Sequence, residues 1–163
     1  KKFKISYNSL LKAIKNFKGL KYRQQVIFDN KNISVINDSK STSYASSIEL
    51  LKKLENIYWL LGGIPKKGDK FTLSKKYCQN IKGFIFGKKY KKFSTDLKNK
   101  IELKKFSNLK QALIGILSDI QQDNSIKKTI LLSPAAASFD SFKNFEDRGY
   151  YFNKLIEKYL NAK

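Results

Sequence analysis

Hydrophobic and polar residues follow two patterns along this 163-residue chain, one typical of strands and one typical of helices. Continuous apolar runs at 57–61, 84–86 and 129–132 are short and end at glycine or serine, as expected for strands buried on both faces of a parallel sheet. Between the runs, apolar residues recur every three or four positions, which predicts amphipathic helices. Predicted helices lie at 9–17, 44–54, 72–80, 109–120 and 152–160, and residues 88–98 form either a helix or a loop.

Two further strands are predicted as an antiparallel hairpin near the start of the chain. Apolar residues 26–28 and 33–36 flank the polar turn 29–32. A weak strand is expected at 101–103, and Ser107 is expected to cap the helix after it. Strands that alternate with helices predict an α/β fold. We expect a three-layer Rossmann-like sandwich with a mostly parallel sheet of about six strands and one antiparallel edge strand from the hairpin.

The length of 163 residues and the 41% hydrophobic content indicate one folded domain of ordinary size. No apolar run approaches the roughly 18–20 residues that span a bilayer, and no secretory leader is recognised. One cysteine and no histidine exclude an internal disulfide, a Cys/His metal site and a histidine-based triad. Cys78 is interpreted as a buried thiol, and a reducing, cytoplasmic setting is expected. Because the chain has no methionine, even at position 1, we expect a fragment or a processed product.

The formal net charge of +21 has two interpretations. A basic chain can be a stand-alone module that binds nucleic acid or another polyanion. Alternatively, the excess reflects a general bias towards lysine, because all but two of the 34 basic residues are lysines and they are scattered along the chain. The exceptions are Arg23 and Arg148. Nucleic-acid readers favour arginine for its planar fork, so lysine bias is the preferred explanation.

Three loops that follow predicted strands deserve inspection, because ligands of open α/β sheets bind beyond the carboxyl ends of the strands. In 37–42, Ser and Thr can cap the next helix and Asp38 can complement its dipole, but Lys40 is unfavourable there unless an anion lies beside it. Residues 62–69 start with two glycines, whose amides can approach a ligand or simply form a surface turn. Residues 133–149 form either a tight strand-to-helix connection or part of a site.

Residues that could catalyse a reaction are few. Phe139 and Phe145 are more often core residues than ligand platforms, and neither a Walker P-loop nor a G-x-G-x-x-G motif is present. The acidic residues of these loops are too far apart to form a pair by spacing alone. The residues therefore predict an anion-binding α/β domain without a reaction centre of its own.

The same loops resemble a known family. The run LLSPAAASFDSFKNFEDRG at 131–149 closely resembles the C-terminal signature of the UDP-N-acetylmuramoyl-L-alanine:D-glutamate ligases, which are members of the Mur ligase family. NDSKST at 37–42 is similar to a second motif of that family, and YWLLGG at 58–63 to a third. GLKYR at 19–23 looks like the link out of the family's central domain. The resemblance covers nearly the whole chain, in the family's order.

The resemblance implies a three-domain, ADP-forming carbon–nitrogen ligase of peptidoglycan synthesis. Its central domain holds ATP and magnesium, and ATP phosphorylates the carboxylate of UDP-N-acetylmuramoyl-L-alanine before the amine of D-glutamate displaces the phosphate. Residues 1–22 would be a stub of the central ATPase domain and the linker, and 23–163 the C-terminal domain that binds D-glutamate and closes over ATP. We expect this chain alone to be inactive, the whole ligase to be a cytoplasmic monomer, and neither nucleic acid nor membrane to be a specific partner.

Carried over by motif, the resemblance assigns the binding residues but no catalytic or metal-binding residue. The predicted D-glutamate ligands are Lys40, Thr42, Lys66, Ser138, the backbone of Phe139, and Phe145. Arg23 and Asp38 would face the phosphates and ribose of ATP. Cations and N–H donors suit a dicarboxylate, because charge-assisted hydrogen bonds to carboxylates are strong, and an anion beside it would explain Lys40.

The chain departs from the family pattern at two positions. Ile64 stands where some relatives carry an acidic or polar residue, so no contact is assigned there, and Ala136 is often cysteine in relatives. A sister ligase for another amino acid is the narrower alternative. The chain lacks the Asp-Asn-Pro-Arg motif that the next ligase of the pathway uses for a diamino acid, so D-glutamate is preferred.

Overall fold

A computed structural model describes residues 4–17, 19–123 and 127–160 of the chain. Within these residues, short helices and strands alternate along most of the sequence. The helices are α1 Tyr7–Asn16, α2 Tyr44–Lys53, α3 Lys75–Cys78, α4 Tyr90–Leu97, α5 Leu109–Gln121 and α6 Phe145–Leu160. The strands are β1 Gln25–Asp29, β2 Ile33–Asn37, β3 Ile57–Gly62, β4 Ile81–Phe86, β5 Glu102–Phe106 and β6 Lys128–Leu132.

The strands form one six-stranded sheet in the order β1-β2-β6-β3-β4-β5. β1 pairs antiparallel with β2, and every other pair in the sheet is parallel. The predicted fold class is confirmed, including the antiparallel edge strand contributed by the hairpin. Because β2, β6 and β3 are parallel neighbours, their carboxyl ends meet at one edge of the sheet. The candidate binding loops 37–42, 62–69 and 133–149 begin at this edge.

The core lies on both faces of the sheet. In β3, Trp59 and Leu61 face the side covered by α2 and α4, whereas Tyr58 and Leu60 face the side covered by α5 and α6. The six residues of β3 are all buried, as the continuous apolar run predicts. The Trp59 indole N–H donates to the carbonyl of Ser133 at 2.6 Å, so its polar atom is satisfied as buried polar groups require.

Several element boundaries differ from the predictions. The predicted helix at 72–80 is only the single turn α3: Phe71 and Leu73 are non-helical and are buried against the core. Residues 88–98 do form a helix, α4. The prediction that Ser107 caps α5 is wrong: Asn108 is the N-cap, and its side chain accepts from the amide of Gln111 at 2.9 Å.

Helix α1 has no buried residue. Leu11 is half-buried. The other large apolar residues of α1 are substantially exposed, as are its apolar neighbours on either side: Ile5, Tyr7, Leu10, Ile14, Phe17 and Leu20. Such an apolar surface on an amphipathic helix requires a partner in most globular proteins. Among the described residues, no helix is long and apolar enough to cross a membrane.

Candidate functional site

Three loops meet at the carboxyl edge of β2, β6 and β3. The amide of Asp38 donates to the carbonyl of Leu132 at 2.7 Å, which fastens the loop after β2 to β6. Ile64 and Ala137 exchange two backbone hydrogen bonds of 2.8 and 3.0 Å, which fasten the loop after β3 to the loop after β6. The predicted site residues therefore lie on segments that the backbone itself holds together.

The Gly62-Gly63 pair has a steric function in this arrangement. Gly63 has a φ of +123°, and a Cβ there would lie 2.2 Å from the carbonyl oxygen of Ala137. A Cβ on Gly62 would lie equally close, at 2.2 Å, to the carbonyl oxygen of Phe86. Only glycine fits at either position. Gly62 lets β3 lie close to the end of β4, and Gly63 lets the loops after β3 and β6 approach each other. These contacts explain both glycines without a bound ligand.

An open cleft of about 540 Å³ lies beside the carboxyl end of β2. Four of the predicted residues line it together, although they come from two different segments: Arg23, Asp38, Lys40 and Thr42. The other residues of its wall are Phe17, Gly19, Leu20, Gln24, Ser41, Ser43 and Ser46. The cleft combines two cationic side chains with several hydroxyls, which suits an anionic ligand.

Lys40 is half-buried and lies over an aromatic ring. Its ammonium nitrogen is 3.8 Å from the centroid of the Phe145 ring, and its backbone amide donates to the carbonyl of Tyr22 at 3.0 Å. Helix α2 begins later, with Ser43 as its N-cap. The interpretation that Lys40 sits unfavourably at a helix N-terminus is therefore wrong, because its charge is stabilised by the ring instead.

The negative charge at the N-terminus of α2 also comes from an unexpected residue. The amide of Tyr44 donates to a carboxylate oxygen of Asp69 at 2.6 Å. Ser43 and Ser46 form a capping box beside it. Asp69, which follows the glycine pair, thus complements the helix dipole where Asp38 was considered. The loop after β3 is thereby fastened to the start of α2.

Asp38 is buried and has partners for both of its carboxylate oxygens. One oxygen accepts from the amide of Gln24 and the other from the hydroxyl of Ser133, both at 3.1 Å. Burial raises the pKa of Asp38 above its ordinary value of 3.8, and the two hydrogen bonds oppose that rise. Asp38 therefore anchors the segment before β1 against the sheet edge.

The remaining predicted residues have very different exposures. Lys66 is exposed in the loop after β3, and Arg23 is exposed at the cleft. Ser138 is buried, whereas Phe139 next to it is 70% exposed, so the expectation of a core position is wrong for Phe139. Phe145 is half-buried beneath Lys40. The loops bring Lys40 and Phe145 into direct contact, while Lys66, Ser138 and Phe139 are not among the residues that line the cleft.

Sequence reasoning missed Arg148, the most buried charged residue described, with 0% exposure. Its guanidinium donates to three loops at once. Nε donates to the hydroxyl of Ser39 at 3.0 Å and Nη2 to the Ser39 carbonyl at 2.8 Å. Nη1 donates to the carbonyls of Ala136 at 3.1 Å and Gly62 at 3.4 Å. Each predicted binding loop therefore has a backbone contact with this one side chain.

Burial shifts the pKa of the Arg148 guanidinium. Removal from water lowers the pKa of its guanidinium to about 10, and the nearby negative charge of Asp140 partly opposes this. Burial likewise raises the pKa of Asp140. The side chain stays charged at neutral pH, with carbonyl oxygens as its main partners. The only sequence signal was its rarity, since it is one of two arginines in the chain.

In residues 4–17, 19–123 and 127–160, no group of three or more His, Cys, Asp or Glu side chains is placed to hold a metal ion. The described residues alone do not fit a magnesium site. For a nucleotide, the fit is partial: Arg23 presents a cation at the cleft, whereas both oxygens of Asp38 already accept protein hydrogen bonds.

No protein-family model matches the chain. Curated proteins named UDP-N-acetylmuramoylalanine–D-glutamate ligase do match it. The chain is 40% identical to the Rickettsia conorii protein over 93% of its own length, and 37% identical to that of Rickettsia felis over 95%. It is 37% identical to the Wolbachia pipientis protein over 94% of its length.

These relatives are much longer than the chain, which spans about a third of each: 30%, 34% and 30% respectively. They carry a ligase name and give no support to the alternative of a stand-alone nucleic-acid-binding module. Over nearly its whole length, the chain is therefore a homologue of a segment that makes up about one third of each of these UDP-N-acetylmuramoylalanine–D-glutamate ligases.

Proposed function

We propose that this chain is the C-terminal domain of an ATP-dependent ligase that adds D-glutamate to UDP-N-acetylmuramoyl-L-alanine in peptidoglycan synthesis. The proposal is carried by its similarity, over 93–95% of its length, to curated ligases of that name. The fold supports it, because the loops with the family's motifs meet at the ligand-binding edge of an α/β sheet. Cell-wall growth, cell shape and division would depend on the reaction.

We propose that residues 1–22 belong to the preceding domain and its linker, and that 23–163 form the C-terminal domain. The apolar surface of α1 supports this division, since none of its residues is buried. Tyr22 lies at the boundary: its carbonyl accepts from the amide of Lys40, and a Cβ on Gly149 would lie 2.5 Å from its ring. The linker is therefore attached to the domain at Tyr22.

D-glutamate is the proposed ligand of the loops after β2, β3 and β6. Lys40 and Lys66 would pair with its carboxylates, and Thr42 and Ser138 would donate hydroxyl hydrogen bonds. The backbone of Phe139 and the ring of Phe145 would complete the pocket. These residues hold and orient the amine, and the proximity they provide is the domain's contribution to the reaction.

Arg23 and Asp38 are the proposed contacts to ATP. The Arg23 guanidinium suits a phosphate group, whereas Asp38 could reach a ribose hydroxyl only by accepting a third hydrogen bond. Magnesium would be held by the rest of the ligase, where ATP phosphorylates the acceptor carboxylate. We further propose a monomeric, cytoplasmic enzyme without a specific nucleic-acid or membrane partner, since its nucleotide substrates are intracellular.

The decisive experiment uses the full-length protein that contains this chain. Purified protein is incubated with ATP, magnesium, UDP-N-acetylmuramoyl-L-alanine and D-glutamate, and the amide product is measured by mass spectrometry together with ADP. We expect product with D-glutamate and none with L-glutamate or a diamino acid. The 163-residue chain alone should release no ADP. Product with a diamino acid but not with D-glutamate would refute the proposed substrate.

A further inference from the structure

Arg148 is not among the residues that the proposed function assigns to either ligand, yet it contacts the three segments that follow β2, β3 and β6 and carry most of them. Ser39 lies directly before Lys40, and Ala136 lies two residues before Ser138. The third partner, Gly62, opens the loop that carries Lys66. The donor–acceptor distances to the three loops range from 2.8 to 3.4 Å.

The contact to Ser39 is reinforced from both sides. Its hydroxyl accepts from Nε of Arg148 and donates to the carbonyl of Phe145 at 2.8 Å. The amide of Ser39 donates to the side chain of Asn37 at 3.1 Å, and Asn37 in turn donates to the carbonyl of Gly149 at 2.9 Å. The start of α6 and the loop after β2 therefore form one hydrogen-bonded unit around the guanidinium.

A planar group with five donors is suited to this task, and lysine is not a substitute. The guanidinium reaches acceptors in several directions within one plane, whereas an ammonium group is a compact point charge on a flexible stem. A core built only for stability would gain little from burying a charge here, since apolar replacements of buried charges are often as stable. The geometry fits a role in fixing the relative positions of the loops.

We propose that Arg148 is a positioning residue for the amino-acid substrate: it holds the three loops in the register that lets Lys40, Lys66 and Ser138 act on one ligand. This inference rests on the proposed function. It concerns binding of the incoming amino acid more than binding of ATP, because Arg23 lies before β1 and Asp38 is held by Gln24 and Ser133.

The test compares Arg148→Lys and Arg148→Met in the full-length ligase. Both variants lose the fork, and only the first keeps the charge. We expect the KM for D-glutamate to rise about ten- to hundredfold in both, since small misplacements of positioning groups have effects of this size. The KM for ATP should stay within about threefold, and the lysine variant should not restore the KM for D-glutamate.

The matched control is Ile156→Ala, a buried position about two turns beyond Arg148 on the same helix. It lowers thermal stability without touching the guanidinium, so both KM values should stay within about twofold of wild type. All assays are run well below the lowest melting temperature. If Arg148→Met does not fold, Arg148→Lys carries the test alone.

The possible results test the proposed function and the role of Arg148 separately. A wild-type enzyme that makes no D-glutamate amide refutes the proposed function, and the role of Arg148 falls with it. If wild type is active but the Arg148 variants keep the wild-type KM for D-glutamate, or raise both KM values equally, then Arg148 is only structural. A selective rise for D-glutamate in the Arg148 variants, absent in Ile156→Ala, supports the assignment.

Discussion

Replacing Lys40 by alanine in the full-length ligase is expected to weaken D-glutamate binding selectively. A hydrogen bond to a charged group contributes about 1.5–3 kcal/mol. We expect Lys40 to exchange its contact with Phe145, at 3.8 Å, for a carboxylate when D-glutamate binds, and such cation–π contacts are worth about 0.5–1 kcal/mol. The difference leaves a net contribution of about 1–2 kcal/mol, or about a five- to thirtyfold rise in KM.

Steady-state kinetics with D-glutamate varied at saturating ATP measures this change. Lys31→Ala is the control, because this substitution removes the same charge from the chain. Lys31 is exposed in the hairpin turn at the opposite end of β2. Loss of the aromatic contact should also lower the melting temperature of Lys40→Ala by about 1–4 °C. An unchanged KM for D-glutamate would remove Lys40 from the site, and an equal rise in Lys31→Ala would show that net charge alone is responsible.

Three further substitutions or treatments test the structural interpretation. Gly63→Ala should lower the melting temperature by several degrees more than Gly68→Ala in thermal unfolding, because both glycines have positive φ but only Gly63 faces a carbonyl at 2.2 Å; equal losses would refute the steric role. Because the folded pKa of Asp38 is raised, its ionisation destabilises the fold. The unfolding free energy of wild type relative to Asp38→Asn should therefore be highest below pH 3.8 and fall as pH rises through the folded pKa. A difference that grows with pH in denaturant titrations would contradict this. Cys78 is buried and burial raises its pKa, so thiol reagents should modify it far more slowly in the native than in the denatured protein, and equal rates would refute its burial.

The strands at the centre of the sheet are the part of the fold that sequence predicts best. β3 is buried along its whole length and its apolar run is continuous. β6 is buried as well, and its apolar run covers residues 130–132, whereas Lys128 and Thr129 are polar. β5 is an edge strand in which Glu102, Lys104 and Lys105 are charged. Its hydrophobic pattern therefore predicted only the first part of the strand. The length of α3 was overestimated, because Phe71 and Leu73 pack on the core without being helical.

The candidate site was predictable only where function is recorded in loop motifs. The cleft brings together Arg23, Asp38, Lys40 and Thr42, which the motifs had selected. The contact between Lys40 and Phe145 could not be predicted, because the two residues lie more than 100 positions apart in sequence and meet only after α6 has docked on the sheet. The contact between Asp69 and the amide of Tyr44 was not predictable for the same reason, since the two residues lie on different elements.

The division between buried and exposed polar residues explains how such a basic chain can form a specific site. The side chains that would contact ligands include lysines and an exposed arginine, which are flexible and resemble the many other cations of this chain. The loops that carry them are held in place by Asp38, Ser39 and Arg148, whose polar atoms are buried and hydrogen-bonded. Buried polar networks are sensitive to the loss of any member, because an unpaired polar group is strongly unfavourable in the interior. Substrate recognition should therefore be more sensitive to changes in these supporting residues than to the loss of lysines with no proposed ligand contact, such as Lys31.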